Sequence, residues 1–201
     1  LGSNSISLTG ADADSFEVDG TALYLKAGVV LDYEAKSSYS IRIRSTDAGG
    51  LTFEKVFTIS VTNVNEAPTD IALSNSTVAE NSAVGTTVGT LSTTDVDVGE
   101  TFTYSLVSGT GSTDNASFTI SGNTLLTAAS FNYEAKNSYS IRVRTTDAGG
   151  LTFEKVFTIA VTNVNDAPTD ISLSNSSVAE NSPSGTTVGT LSSTDVDAGE
   201  T

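Results

Sequence analysis

Apolar and polar residues alternate along two long stretches of the chain, 39–45 (Tyr-Ser-Ile-Arg-Ile-Arg-Ser) and 56–62 (Val-Phe-Thr-Ile-Ser-Val-Thr). A period of two places successive side chains on opposite faces of a half-buried strand. Both stretches flank a turn signal at Asp47-Ala-Gly-Gly, and the same arrangement returns at 139–145 and 156–162 around Asp147-Ala-Gly-Gly. Shorter strands are predicted at 71–73, 86–91, 102–106, 118–120 and 124–126, separated by turn residues at Gly99, Gly109, Gly111 and Gly122. No segment carries a long helical period. About seven strands in ~100 residues predict an all-β fold, a β-sandwich with Greek-key connections.

The pattern recurs because the sequence does. Residues 31–70 return at 131–170 with seven differences, and 71–101 return at 171–201 with six. A period of about a hundred residues therefore spans nearly the whole chain. Taking the Ala-Pro-Thr-Asp after the linker as the start of a repeat divides the chain into three. Residues 1–66 are the back two-thirds of one repeat, 67–166 a complete repeat, and 167–201 the front third of the next. The expectation is a window on a longer tandem array, cut from a larger protein.

Composition narrows what holds the fold together. There are 24 acidic against 9 basic residues, a net charge of −15, and no His, Cys, Met or Trp. No disulfide framework exists, and no soft metal ligand is present for zinc or copper. The charge repels phosphate backbones, which excludes nucleic acid as a partner. Apolar runs fall short of the ~20 residues of a membrane-spanning helix, so membrane insertion is not expected. The chain reads as secreted or displayed on a cell surface.

The acidic residues cluster at predicted loops and strand ends. In the complete repeat the clusters are Glu80-Asn81, Asp95-Val-Asp97, Asn132-Tyr-Glu134, Asp147-Ala-Gly-Gly and Asn163-Val-Asn165-Asp166. In that order and spacing they resemble the calcium-binding motifs of the cadherin repeat. The linkers 61–68 and 161–168, Val-Thr-Asn-Val-Asn-Glu/Asp-Ala-Pro, are similar to those of cadherin-like repeats in large bacterial surface proteins. The resemblance covers the whole chain and implies tandem Greek-key β-sandwiches of the cadherin/Ig-like kind, with Ca2+ held where successive repeats meet.

Carried over residue by residue, the resemblance gives two ligand sets. The first junction takes Asp32 and Glu34, then Asn63, Asn65 and Glu66, then Asp95, Asp97 and Asp147. The second takes Glu80, Asn132 and Glu134, then Asn163, Asn165 and Asp166, then Asp195 and Asp197. Asn132 stands where the other copy has Asp32, which removes one formal charge from the second junction and lowers its expected affinity or ion count. The linker is also one residue shorter before its Pro than in animal cadherins, so three ions per junction are not implied.

The chemistry is coherent without the family. Calcium takes six to eight hard oxygens, commonly carboxylates and carbonyls from several loops. Two carboxylates ~4 Å apart repel by about 1 kcal/mol in water and about 4 kcal/mol at an effective dielectric near 20. Several converging on one linker would splay it, and a divalent ion reverses that sign. With calcium the linker is expected to stiffen and the array to become a rod; without it the domains are expected to remain folded but to hinge.

Other features have plainer readings. Tyr33 and Tyr133 are expected to face the core between their acidic neighbours, Glu54-Lys55 and Glu154-Lys155 to be solvent-face charges, and Asp12 and Asp14 to be a loop. Asn75, Asn115 and Asn175 fit the glycosylation sequon. Three functions remain open: a calcium-rigidified spacer or adhesive repeat of a giant surface protein or filament, a module binding polysaccharide or another surface protein, and an enzyme. The absence of Trp disfavours a sugar platform, and the absence of His or Cys beside the duplicated carboxylates disfavours catalysis. Expected partners are neighbouring repeats of the same array and, from the complementary partial repeats, other copies joined head to tail.

Overall fold

The computed structural model describes residues 4–197, whose regular structure is all strand apart from two short 3-10 turns, Ala13–Ser15 and Asn115–Ser117. The described residues fall into two compact units: 4–66 with 96–99, and 67–95 with 100–197.

In the first unit β1 (Ser5–Thr9), β4 (Ser38–Thr46) and β5 (Thr52–Ser60) form an antiparallel sheet in the order β1-β4-β5. A separate hairpin pairs β2 (Phe16–Asp19) with β3 (Ala22–Leu25). Phe16 and Ile41 are buried, and the Phe16 ring meets Tyr39 edge-on. The period-two pattern thus places Ile41 inward, but much of the remaining apolar face stays open: Leu23, Leu25, Phe53 and Phe57 are all exposed. Tyr33 is exposed too, against the expectation that it faces a core. It sits in a turn closed by the Lys36 amide on the Asp32 carbonyl (2.9 Å), where the alternation of a strand does not hold.

The second unit closes into a two-sheet sandwich. One sheet runs β10-β11-β8-β6 and the other β7-β13-β12-β9. Their strands are β6 (Asp70–Leu73), β7 (Thr77–Ala79), β8 (Thr87–Thr94), β9 (Thr103–Leu106), β10 (Phe118–Ser121), β11 (Thr124–Thr127), β12 (Ser138–Thr146) and β13 (Thr152–Thr162). All pairings within these sheets are antiparallel except β7 with β13, which puts Val78 beside Val161. Ile71, Val78, Val88 and Leu91 from β6–β8 pack with Phe118, Leu125, Phe131, Ile141, Val143, Ile159 and Val161 in one core, and Tyr133 packs against its margin.

Lys155 departs from its expected solvent-face role: Nζ donates to Asp70 Oδ1 (2.7 Å) and to the Ile71 carbonyl (2.8 Å), tying β13 to the opposite sheet. Glu154 accepts from Arg142 and Arg144 on the neighbouring strand. The sequon asparagines are structural. Asn75 Nδ2 donates to the carbonyls of Thr77 and Val88, Asn175 does the same with Ser177 and Val188, and Asn115 bonds Val107 and Arg142. Gly89 permits the Asn75 loop, since a Cβ there would lie 2.6 Å from the Asn75 carbonyl oxygen.

After the sandwich, β14 (Asp170–Leu173) pairs with β15 (Leu191–Thr194) and the segment between them carries no strand.

Candidate metal centre

Three groups of carboxylates converge, each with ligand oxygens within 4.8 Å of one another: Glu34, Glu66 and Asp97; Glu80, Glu134 and Asp166; and Asp95, Glu100 and Asp147. Every group lies inside one unit.

The first is built on the linker that follows β5. Buried Asp97 accepts from Asn63 Nδ2 (2.8 Å) and from the Glu66 amide (2.9 Å), so the Asn63 and Glu66 donors hold its carboxyl below the usual carboxylate range. Asn65 Nδ2 donates to the Glu66 carbonyl (3.1 Å). Asp32 stands apart from the group. Its Oδ1 accepts the Ala35 amide (2.8 Å) and stabilises the turn that presents Glu34.

The second group is organised by Glu80, at the end of β7 and almost wholly buried. Its two oxygens accept the amides of Tyr133 (2.7 Å) and Val164 (2.8 Å). One carboxylate therefore pins both the Glu134 loop and the linker beyond β13. Asn81, with a left-handed φ of 57°, donates to Asp166 Oδ1 (2.9 Å). Asp166 in turn donates its amide to Asp197 Oδ2 (2.6 Å), and the Asp197 amide donates to Asp195 Oδ1 (3.1 Å).

Asp197 is 8% exposed, and its Oδ1 is buried with no hydrogen-bond partner among the described residues. Such an orphaned oxygen beside three converging carboxylates fits a cation. Glu134 is held down by a backbone hydrogen bond, but lost solvation and the charges of Glu80, Asp197 and Asp166 outweigh it and push its pKa up. Asn163 lines a cleft with Tyr133, Glu134, Asn137 and Val196. Asn165 donates to the Asp166 carbonyl (2.9 Å), and Asn132 Oδ1 caps the Ala135 amide (2.6 Å) as Asp32 does in the other copy.

The third group joins the end of β8 to the turn after β12. Asp147 is buried and accepts the Leu151 amide (2.8 Å), so the turn and ligand readings of Asp147-Ala-Gly-Gly are compatible. Glu100 escaped the sequence reading. Its signal was its place five residues after Asp95, repeated at Glu200. Asp47, in the same sequence context, is exposed and serves its turn alone, accepting from Gly49 and Leu51 (2.9 Å each). Asp12 is no ligand. It binds Lys36 and the Ser40 amide, and these bonds hold its pKa down.

All ligand candidates offer oxygen, the donor set of a hard cation. Residues 74–162 match the family described as Cadherin domain. The chain is 30% identical over 200 residues to Protocadherin-23 of Homo sapiens, covering 96% of this chain and 6% of that protein. It is 28% identical to Protocadherin Fat 4 of Mus musculus over 203 residues, 95% of this chain and 4% of that protein. Among solved structures, protocadherin gamma B7 extracellular cadherin domains 1–4 superimpose with a TM-score of 0.67 at 26% identity, covering 97% of this chain and 51% of that one. The fold is that of cadherin β-sandwich domains. The chain spans 4–6% of the length of these two curated relatives.

Proposed function

We propose that this chain is a calcium-stiffened structural repeat of a large extracellular surface protein, spacing or presenting an adhesive end rather than performing catalysis. Its cadherin-like repeats lie outside the cell, and no helix among the described residues is long and apolar enough to cross a membrane. The observation that carries the reading is the second carboxylate group, where Glu80, Glu134 and Asp166 converge beside the buried Asp197 oxygen.

Cadherin domains bind calcium, and the residues here supply what such an ion needs. Glu80 and Glu134 come from the end of the complete repeat, Asn163, Asn165 and Asp166 from the linker, and Asp195 and Asp197 from the following segment. An ion shared among them would lock the linker to both neighbours. Without it, repulsion among the same charges favours opening. The equivalent ligands in the first unit are Glu34, Glu66 and Asp97, with Asn63 and Asn65 on the linker; Asp95, Glu100 and Asp147 form a further oxygen set.

Asn63 and Asn81 now offer their NH2 groups to Asp97 and Asp166. As calcium ligands they would offer their carbonyl oxygens instead. Near-identical adjacent repeats suit a spacer in a giant surface filament, and the Val-Thr-Asn-Val-Asn linker supports a bacterial one.

Thermal unfolding in millimolar calcium, against EDTA and against magnesium, tests the reading. Native-state binding at a hundred times Kd adds about 2.7 kcal/mol and must raise Tm. A calcium-specific rise supports the sites, whereas identical curves in calcium and EDTA would sink them.

A further inference from the structure

Along the inner face of the complete repeat, polarity changes in steps toward the end that carries the third carboxylate group. Strand β8 presents Leu91, then Thr93, and the chain goes on to Asp95; β12 presents Val143, then Thr145, and the chain goes on to Asp147. Strand β9 runs the opposite way to β12, so Glu100 and Phe102 come before Tyr104 and Leu106. All these residues are buried or half-buried, while Ser92, Thr94, Thr103 and Ser105 between them are exposed. The three strand ends therefore share one order, from apolar core to hydroxyl to carboxylate, with Phe102 added on the third.

The hydroxyls meet. Thr93 Oγ1, on one sheet, donates to Tyr104 OH (2.8 Å) and lies 2.8 Å from Thr145 Oγ1 on the other sheet. Tyr104 and Thr145 are direct partners in the register of β9 with β12. With the Thr93 proton given to Tyr104, Thr145 supplies the proton of its own contact, and a single chain of hydrogen bonds joins all three strands. Thr145 is fully buried, where a low local dielectric strengthens such bonds. In the neighbouring repeats Ser45 stands at the place of Thr145 and Ser193 at that of Thr93, so each replacement loses a methyl and keeps the hydroxyl.

We propose that the Thr93, Tyr104 and Thr145 hydroxyls form a positioning device for the third carboxylate group, fixing the ends of β8, β9 and β12 so that Asp95, Glu100 and Asp147 stand at the spacing a divalent cation requires. The proposal rests on the calcium reading of that group and adds the residues that prepare it. Carboxylate oxygens within 4.8 Å of one another push the strand ends apart. Ties at Thr93 and Thr145, two residues or about 6–7 Å back along each strand, resist that push. An ion then meets oxygens already gathered, and less of its binding free energy is lost to ordering them. A valine at either position would fill the same space without a directional contact between the sheets.

The test is calorimetric calcium titration of the full chain, with urea denaturation in EDTA alongside. Asp147→Asn identifies the share of the isotherm that belongs to the third group. Tyr104→Phe keeps the ring and removes only the hydroxyl. It should weaken that share by about 3- to 10-fold, the worth of one hydrogen bond, and leave binding at the other groups as it was. Thr145→Val should do the same, and Thr145→Ser, which has its hydroxyl, should recover the loss. In an Asp147→Asn background Tyr104→Phe should have no further effect on calcium binding.

Tyr104→Phe and Thr145→Val chains that lose stability in EDTA but bind calcium like wild type would make the hydroxyls purely structural and overturn the proposal. An equal effect of Tyr104→Phe with Asp147 intact or replaced would overturn it too. An isotherm that Asp147→Asn leaves unaltered would remove calcium from the third group, and the proposal would fall with that reading.

Discussion

Residues 71–97 and 171–197 are nearly the same peptide in two settings. Ile71 and Leu91 are 0% and 2% exposed, and Ile171 and Leu191 are 74% and 75% exposed. Both copies form the same antiparallel pair, 70–73 with 91–94 and 170–173 with 191–194, in the same register. Both also build the asparagine-centred loop, and both hold a Gly that lets its backbone cross. Only the copy facing β9–β13 gains β7 and extends β8. The front third of this repeat therefore carries its local geometry within itself and takes its remaining strands from the sheet it packs on. The Asp47 and Asp147 turns teach the same lesson at the scale of one side chain: one is a solvated turn, the other a buried member of a carboxylate group.

Substitution separates the copies most sharply. Ile71→Ala is expected to cost about 2–5 kcal/mol, as other deletions of buried aliphatic groups do. Ile171→Ala is expected to stay within about 0.5 kcal/mol in dilute solution, as exposed changes do. Urea denaturation reads both, and equal losses would mean that Ile171 is buried after all.

Next in size is the response to calcium. Glu80→Gln should abolish most of the calcium-induced rise in Tm, since it removes both a candidate ligand and a clamp on the linker. Glu134→Gln should raise Tm in EDTA by relieving repulsion and reduce the gain from calcium. A Glu134→Gln protein less stable than wild type in EDTA would contradict the like-charge picture.

The pH profile has a definite sign. Because the folded-state pKa of Glu134 is raised, its charged form opposes folding above that pKa, and the cost fades as pH falls through it. Asp70, Asp114 and Glu154 are lowered by Lys155, by Lys136 after burial is overcome, and by Arg144 with Arg142. Their contribution is present above the ordinary carboxylate range and is lost as pH falls below it. In EDTA the second unit should thus gain stability on mild acidification before losing it, while the calcium effect declines steadily as protons compete for Glu134. Melting curves from neutral pH downward check this, and a calcium effect that is flat in pH would refute it.

The smallest contrast is between Asp147→Asn and Asp47→Asn. Each keeps the turn-forming oxygen, but only the first should weaken calcium binding, measured by calorimetry. An equal effect at both sites would remove Asp147 from the ligand set.

Much was legible beforehand because alternation and turn residues act over a few positions. Strands at 39–45, 71–73, 118–120 and 139–145 appear within a residue or two of their expected bounds. The 3-10 turns, the Phe16–Leu25 hairpin and β7 were not read. Strand β7 is three residues long and exists by pairing with β13, a partner more than eighty residues away.

Among the candidate ligands, spacing placed Glu34, Glu66, Asp97, Glu80, Glu134, Asp166, Asp95 and Asp147 in acidic clusters. That Asp32 and Asn132 cap turns instead of joining the carboxylate groups depended on where each loop bends. Glu100 was missed because its partners lie on the end of β8 and on the turn after β12.

What the sequence determined by itself was the set of local choices: which residues extend, which turn, which asparagines bridge their own loops, and where carboxylates recur at a period of about a hundred residues. Those contacts close within a few bonds and come out alike in both copies. Tertiary structure alone decided which of two equal peptides is buried and which carboxylates meet. Burial of Ile71 and Leu91 needs an opposing sheet, and the carboxylates meet only where several loops are brought together.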